Sequence, residues 1–367
     1  MGIQKLKFRQ RRAVWHRDLP KVCLGKVARP GYGLNDCRLT PASTPSRQTL
    51  RHTMYQTETL TPSAIDLARA AKILRSGELV AFPTETVYGL GGDARSDIAV
   101  ARIFAAKDRP SFNPLIVHVP DLAAAQDIAI FNDLAIDIAA AFWPGPLTLV
   151  LPVRPGSALS PLVTADLASV AIRIPAHPIA QTLLQAFGGP LAAPSANPSG
   201  RISPTRAIHV MDGLSGRIAA ILDGGTCAVG VESTILGLLA TPTLLRPGGI
   251  PVEALEAMLG HPLLIGGNAN LPNAPGQLAS HYAPAGQLRL NVTSPKPHEI
   301  YIAFGPGTLS LSATRDLTEA AATLFHALRE ADRLAGPGGQ IAIAPIPETG
   351  LGRAINDRLR RAAAPRR

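Results

Sequence analysis

Cysteine is scarce in this chain, and its three cysteines form no pattern typical of metal binding or disulfide bonding. Cys23, Cys37 and Cys227 include no Cys-x-x-Cys pair and lack the histidine spacing of a zinc site. An odd number also argues against a disulfide framework. This usage fits a reducing compartment, and we expect a cytoplasmic location.

Long hydrophobic runs are also missing. A bilayer-spanning helix needs about 18 or more apolar residues, whereas the nearest candidate, residues 138–153, contains three prolines and is followed by Arg154. We therefore expect no membrane span. With 367 residues and 46% hydrophobic content, the chain can build two domain cores and is not a largely disordered protein.

The common nucleotide and metalloprotease motifs are absent: the chain has no GxxxxGK[ST], no GxGxxG and no HExxH. A bound nucleotide would therefore have to be held by cations near strand ends and by hydroxyls and amides on tight loops. Arginine suits this task because its planar fork matches phosphate or carboxylate, and lysine adds a point charge.

The net charge of +10 comes entirely from the N-terminal segment. Residues 1–53 hold 12 Lys and Arg against two acids, and the rest of the chain holds 24 residues of each sign. We predict that residues 1–53 are a basic, disordered extension or result from an over-extended translation start. The ordered pattern begins at Met54. A basic arm that touches RNA and a targeting peptide remain alternatives.

Residues 54–250 show the pattern of an α/β domain. A helix is predicted from Thr61 to Gly77, with a capping hydroxyl, apolar residues at helical spacing and a terminal glycine. Short apolar runs that each end in a polar loop follow, with helical segments between several of them. We predict a twisted mixed sheet with flanking helices. The predicted strands are 79–82, 147–152, 170–175, 191–194 and 221–225.

A linker and a small second domain are predicted beyond this. Residues 251–286 are assigned to the linker, because Gly266 to Gly286 is poor in charge and rich in Gly, Asn, Pro and Ala. In residues 287–367, strands at 299–304 and 340–344 alternate with a helix that begins near Asp316, where Glu319 completes a capping-box pattern, and with a helix at 352–361. This order suggests a small Rossmann-like C-terminal domain without a dinucleotide fingerprint.

The segment Lys107-Asp-Arg-Pro-Ser-Phe-Asn-Pro-Leu115 places two cations and an amide on a loop stiffened by two prolines. Residues before proline avoid the helical region, so Arg109 and Asn113 should be extended. The strand that follows, residues 115–119, should present His118 on the face opposite Leu115, Val117 and Val119. This loop predicts a site that handles an anion, although a solvated loop and a structural histidine are the simpler alternatives.

Arg173 and Ser195 are two further candidate site residues. Arg173 should lie beside Ala171, on the face opposite the β-branched residues of its strand, where it could be solvated or ion-paired. Ser195 has no GxSxG context, so it is better explained as a hydrogen-bonding residue than as a nucleophile.

Together these segments resemble the YrdC-type threonylcarbamoyl-AMP synthase family, in its long two-domain form, from about Thr61 to Arg361. The stretches that carry the resemblance occur in family order: Phe82-Pro-Thr-Glu-Thr-Val-Tyr-Gly-Leu90, Lys107-Asp-Arg-Pro, Trp143-Pro-Gly-Pro-Leu-Thr148, Arg173-Ile-Pro175, Ala193-Pro-Ser-Ala-Asn-Pro-Ser-Gly200, Val231-Glu-Ser-Thr-Ile235, Leu245-Arg-Pro-Gly248 and His281-Tyr-Ala-Pro284.

The resemblance implies that L-threonine, bicarbonate and ATP become threonylcarbamoyl-AMP and pyrophosphate. It implies a threonine site of Thr86, His118, Arg173, Ala193 and Ser233. It implies an ATP site of Arg109, Asn113, Ser169, Ser195, Ser203 and Arg246, closed by His281 and Tyr282 from the linker. We assign the catalytic electrostatic role to Lys107 and Arg109.

Mg²⁺ is expected with ATP, because it offsets the charge of the phosphates. The implied partners are the transferase proteins that attach the threonylcarbamoyl group to the adenosine beside the tRNA anticodon. A non-catalytic RNA-binding module is the alternative function, since a concave basic face could hold RNA by its phosphates, and weak RNA binding is also compatible with the synthase.

Overall fold

Helices and strands alternate along the computed structural model, which describes residues 55–110, 112–266 and 280–365. Within these ranges the helices are α1 (Ala64–Arg75), α2 (Asp97–Lys107), α3 (Leu122–Gln126), α4 (Asp133–Phe142), α5 (Pro161–Thr164), α6 (Pro178–Phe187), α7 (Ala207–Leu214), α8 (Val252–Leu259), α9 (Leu317–Ala335) and α10 (Leu351–Ala363). The strands are β1 (Glu58–Leu60), β2 (Val80–Phe82), β3 (Gly89–Asp93), β4 (Ile116–His118), β5 (Leu147–Pro152), β6 (Ser169–Arg173), β7 (Leu191–Ala192), β8 (Ala220–Leu222), β9 (Thr234–Gly237), β10 (Thr243–Arg246), β11 (Leu264–Ile265), β12 (Gln287–Arg289), β13 (Glu299–Ile302) and β14 (Gln340–Ile343).

A large mixed sheet forms the centre of the first domain, as predicted. Its strand order is β1-β8-β2-β3-β7-β4-β6-β5-β9-β10-β11, with parallel pairs such as β4 and β6 and antiparallel pairs such as β5 and β6. Each of the strands predicted in residues 54–250 overlaps an observed strand. The helices flank this sheet, so the prediction of an α/β fold is confirmed.

The first helix shows how local sequence sets these boundaries. The hydroxyl of Ser63 accepts a hydrogen bond from the backbone N–H of Asp66 at 3.2 Å, which caps the helix and makes α1 begin at Ala64. Leu67, Ala70 and Leu74 are buried at helical spacing and pack α1 into a core shared with α6.

Strand β3 was missed because its sequence is rich in glycine. The sequence pattern predicts a polar loop after the strand at residues 79–82, whereas Gly89–Asp93 pairs with β2 on one side and β7 on the other. The glycines are required by the packing: a Cβ on Gly91 would lie 2.9 Å from the ring of Phe82. Close packing therefore outweighs the low strand propensity of glycine at this position.

The alternation of side chains on β4 and β6 is as predicted and positions the site. Leu115, Val117 and Val119 enter the main core, and so do the β-branched residues of β6. Ile116 and His118 of β4 point to the other face, and there Arg173 lies at the C-terminal end of β6, directly beside His118 in register.

The second domain has a parallel three-stranded sheet of order β12-β14-β13, covered by α9 and α10. The carboxylate of Asp316 caps α9 by accepting a hydrogen bond from the N–H of Glu319 at 2.7 Å, which confirms the predicted start. Strand β12 was not predicted. The first domain and this second, C-terminal domain belong to one compact unit, His52–Arg367.

The linker differs from its predicted bounds. The first half of residues 251–286 contains α8 and β11, and β11 extends the large sheet by pairing with β10. Residues 267–279 lie outside the described residues, as do residues 1–54 with the predicted basic extension. None of the helices in the described ranges is long and apolar enough to cross a membrane.

Candidate active site

A pocket with about 540 Å³ of empty space, part of it open to solvent, lies where the C-terminal ends of β4 and β6 face the segment that leads into the C-terminal domain. It brings together residues from seven separate sequence motifs. The predicted site residues that line it are Thr86, Arg109, His118, Arg173, Ala193, Ser195, Ser233, Arg246, His281 and Tyr282.

Arg109 lines the pocket from the loop after α2. Asp108 adopts a left-handed conformation that ends the helix, so Arg109 leaves it as predicted. Its guanidinium donates to the carbonyl of Pro114 at 3.0 Å. Burial, with Arg246 close by, lowers the pKa of Arg109 to about 10, so the guanidinium stays charged at neutral pH. The pocket thus holds a partly buried cation, which favours an anionic ligand.

Arg246 reaches the pocket from the end of β10. Its Nη2 donates to the carbonyl of Ser233 at 2.9 Å and to the Ser233 hydroxyl at 3.2 Å. That hydroxyl also lies 2.7 Å from the hydroxyl of Thr148. Strands β5, β9 and β10 are neighbours in the sheet, so the fold fixes the position of this second cation.

Arg173 already has a carboxylate partner. Its Nη2 donates to Oε1 of Glu85 at 2.6 Å, its Nη1 to the hydroxyl of Thr86 at 2.8 Å and its Nε to the carbonyl of Gly145 at 3.2 Å. Burial raises and Arg173 lowers the pKa of Glu85, and the net direction is downward, so the Glu85 carboxylate is ionised. Each terminal nitrogen of Arg173 keeps a second N–H for a ligand carboxylate. The negative charge of Glu85 partly offsets the attraction between Arg173 and such a ligand.

His118 is neutral in the pocket. Burial first, and then the charge of Arg173, lowers its pKa to about 3. Its Nδ1 lies 3.3 Å from the carbonyl of Ile116, which can only accept, so Nδ1 carries the proton. Nε2 is then an acceptor, suited to a ligand hydroxyl or amine.

Lys107 was expected to act on the reacting anion, but it lies behind the pocket and does not line it. It is 1% exposed, and its ammonium donates to the carbonyls of Ser195 and Asn197. Burial, and Arg109 beside it, lower the pKa of Lys107 well below its ordinary value. The structure therefore gives Lys107 the task of holding the loop that carries Ser195.

Three residues predicted for ATP lie outside the pocket lining. Ser203 is adjacent, because its hydroxyl donates to Oε1 of Glu232 at 2.6 Å. Asn113 is buried, and neither atom of its amide finds a hydrogen-bond partner among the described residues. Ser169 begins β6, about 13 Å along the strand from Arg173, so the structure does not bring it to the pocket. Their roles stay predictions.

Glu232 is the functional candidate that sequence reasoning missed. It lines the pocket, is 7% exposed and forms an ion pair with Arg358 of α10, Nε to Oε2, at 2.9 Å. Burial raises and Arg358 with Arg246 lowers the pKa of Glu232, with a net decrease, so the carboxylate is ionised. Its signal was its place in the Val231-Glu-Ser-Thr-Ile235 motif, but the partner lies 126 residues away.

His281 and Tyr282 close one side of the pocket, and with Ala283 we call this segment the strap. The N–H of Ala283 donates to the carbonyl of Gly200 at 2.8 Å, and the N–H of His281 donates to the carbonyl of Arg361 at 3.2 Å. The strap thus joins a loop of the first domain to α10. Burial lowers the pKa of His281 to about 3 and raises that of Tyr282 to about 12, so both are neutral.

No group of three or more His, Cys, Asp or Glu side chains that could hold a metal ion occurs in the described ranges. Magnesium usually keeps several waters and binds through one or two carboxylates plus substrate phosphates. Glu232 is the one carboxylate among the described residues of the pocket lining, and its oxygens are bonded to Arg358 and Ser203. A magnesium ion here would therefore need phosphate oxygens of a ligand and waters for its coordination.

Two family models match consecutive parts of the chain. One, described as "Telomere recombination" and covering Sua5, YciO and YrdC proteins, matches residues 72–248. The other, described as "Threonylcarbamoyl-AMP synthase, C-terminal domain", matches residues 250–364. Their boundary lies just before α8, so the second model includes the segment that we assigned to a linker.

Relatives and a solved structure match over most of the chain. A threonylcarbamoyl-AMP synthase of Bacillus subtilis is 42% identical over 336 residues, which is 84% of this chain and 96% of the relative. One of Pyrococcus abyssi is 41% identical and covers 80% of this chain and 93% of its own length. The crystal structure of P. abyssi Sua5 complexed with L-threonine superposes with a TM-score of 0.77 at 37% identity, covering 84% of this chain and 97% of that one.

Proposed function

The chain belongs to the threonylcarbamoyl-AMP synthase family, and we propose that it makes threonylcarbamoyl-AMP from L-threonine, bicarbonate and ATP, with release of pyrophosphate. The observation that supports this most directly is the meeting of Arg109, Arg173 and Arg246 with the neutral His118 in one pocket. The cations suit polyanionic phosphates and a carboxylate, and the neutral imidazole suits a hydroxyl or amine.

The reaction joins two anions. The deprotonated amine of threonine and bicarbonate give a carbamate and water; a carbamate oxygen then attacks the α-phosphorus, and the bond from that phosphorus to the bridging oxygen of pyrophosphate breaks. Repulsion between the carbamate and the phosphates is the main obstacle, so fixed cations at the pocket wall favour the transition state. Enclosure by the strap also shields the carbamate from breakdown in water.

Within the pocket we assign the threonine side to Thr86, His118, Arg173, Ala193 and Ser233, and the nucleotide side to Arg109, Ser195 and Arg246 with the strap. We also assign Asn113 and Ser203 to the nucleotide side. We propose that Mg²⁺ accompanies ATP and lowers the charge that the arginines must offset.

The product would supply the threonylcarbamoyl group to transferase proteins that modify tRNA, and we propose a cytoplasmic location, where these substrates occur. Weak RNA binding is compatible with this role. The pocket and the family support the synthase, and they do not support the alternative of a non-catalytic RNA-binding module.

The test is pyrophosphate release by the purified full chain with ATP and Mg²⁺, with and without L-threonine and bicarbonate, together with detection of the adenylate by mass spectrometry. We expect release that depends on both co-substrates. Pyrophosphate release that does not depend on threonine, from a folded sample, would refute the proposed activity. Salt-sensitive RNA binding without turnover would favour the alternative of an RNA-binding module.

A further inference from the structure

The C-terminal domain places a completely buried arginine against the pocket of the other domain. Arg358 of α10 is 0% exposed. Its Nε donates to Oε2 of Glu232 at 2.9 Å, and its Nη1 donates to the carbonyl of Pro247 and lies 3.1 Å from Oδ2 of Asp357. Burial works against its charge, but Tyr282, Glu232 and Asp357 raise the pKa of Arg358, so the guanidinium is protonated.

Arg358 compensates the negative charge of Glu232. Glu232 is an ionised carboxylate in the wall of a pocket that must accept a triphosphate. An uncompensated carboxylate in the pocket wall would repel the phosphates, because like charges brought together in a desolvated site are strongly unfavourable. Its other oxygen, Oε1, accepts from Ser203, so both oxygens are already hydrogen-bonded and turned to protein partners.

The same guanidinium supports the strap. Its Cζ lies 5.6 Å from the centre of the Tyr282 ring, and the ring of Phe325 of α9 stacks on Tyr282 with 5.5 Å between the ring centres. Tyr282 is 1% exposed and lines the pocket. Arg358 therefore touches two elements of the pocket wall, one charged and one aromatic, without lining the pocket itself.

We propose that Arg358 is a positioning residue for nucleotide binding: it neutralises Glu232 and holds Tyr282 in place, so that the C-terminal domain completes the ATP side of the pocket. This inference rests on the proposed function, since the polyanion is taken to be ATP. It gives the C-terminal domain a part in substrate affinity rather than in the chemical step.

The experiment compares the full-length wild type with Arg358→Met, Glu232→Gln and the double variant. Arg360→Met is the matched control, because Arg360 lies on the same helix in an exposed ion pair with Glu348. ATP binding is measured by calorimetry without threonine, and KM for ATP and kcat are measured by pyrophosphate release. Folding is checked by circular dichroism.

We expect Arg358→Met to weaken ATP binding and raise KM roughly tenfold or more, with a smaller change in kcat, because a bare carboxylate then faces the phosphates. The double variant should recover most of the lost ATP affinity, since it removes both charges together, and the part that does not return measures the support that Arg358 gives Tyr282. Arg360→Met should match wild type.

Unchanged ATP affinity in Arg358→Met would overturn the proposal. A double variant that recovers no ATP affinity would also overturn it, because an arginine that only docks the C-terminal domain is missing from both variants. If Arg358→Met does not fold, the double variant decides alone: the proposal requires it to fold and bind ATP, and a purely structural arginine predicts that it does not. Binding is measured without turnover, so a wild type that binds ATP but shows no threonine-dependent release would contradict only the proposed function.

Discussion

Lys107 and Arg109 are two residues apart in one motif, yet the structure gives them different tasks. Arg109 lines the pocket, whereas Lys107 is buried behind it and donates to two loop carbonyls. Their side chains diverge because α2 ends between them, with Asp108 in the left-handed region. A motif that seems to supply two cations to one anion thus supplies one cation and one loop support.

Replacing Arg109 by alanine should lower adenylate formation by at least about 100-fold, the loss typical for a preorganised group that stabilises transition-state charge. Pyrophosphate release under saturating substrates measures this. Arg154→Ala, at an exposed arginine outside the pocket, is the control and should keep full activity. A folded Arg109→Ala protein with normal activity would show that the anion binds elsewhere.

Replacing Lys107 by methionine should reduce stability by about 2 to 4 kcal/mol, because two loop carbonyls lose their donor while the side-chain volume is nearly kept. Urea unfolding measures the free energy change, and Lys72→Met on the exposed side of α1 should change it little. An inactive Lys107→Met variant with wild-type stability would instead support the direct catalytic role that the sequence suggested.

At the scale of elements, the contact between α9 and the loop before Glu232 leaves no room for a side chain. Gly230 has φ of +75°, and a Cβ there would lie 2.3 Å from Cα of Ala322 and 2.5 Å from the carbonyl oxygen of Ala321. Both are backbone atoms of α9, so neither can rotate away. This loop therefore holds the C-terminal domain against the pocket wall.

Gly230→Ala should displace α9 and cost roughly 1 to 3 kcal/mol more than the backbone strain alone. Gly260→Ala is a matched control, since Gly260 also has φ of +75° but its Cβ would meet nothing within 4 Å. Both variants carry the strain of an alanine in the left-handed conformation. Only the alanine at position 230 also collides with backbone atoms of α9. Urea unfolding of the two variants measures the difference, and equal losses would show that α9 yields at no cost.

At the scale of the whole molecule, buried neutral histidines should make stability depend on pH. The folded pKa values of His118 and His281 are about 3, well below the ordinary value of 6.5. Between these values the unfolded chain binds protons that the folded chain does not, so the free energy of unfolding falls as pH drops below 6.5. Each histidine contributes at most about 1.4 kcal/mol per pH unit.

Urea unfolding at pH 7.0 and 5.0 should therefore show a loss of at most about 2 kcal/mol for each of these histidines. His281→Asn should reduce the loss, and His298→Asn, at an exposed histidine, should leave it unchanged. A His281→Asn protein that loses as much stability as wild type would mean that this imidazole is protonated in the folded state.

Sequence determined much of this protein because several signals act locally. Capping by Ser63 and Asp316 fixed helix starts, period-2 alternation placed His118 and Arg173 on the face opposite the core, and proline and left-handed residues ended elements where expected. The family motifs, each a few residues long, likewise identified most of the pocket lining before any contact was known.

Tertiary structure alone decided what depends on distant contacts. The glycine-rich β3 forms a strand because it pairs with β2 and β7, and α8 with β11 occupies the first half of the segment that we assigned to the linker. Likewise, Lys107 supports a loop and Glu232 pairs with Arg358 because folding brings partners together from 88 to 126 residues away. Propensity and periodicity describe a residue's neighbours along the chain, whereas burial, charge compensation and backbone contact depend on neighbours that only the complete fold supplies.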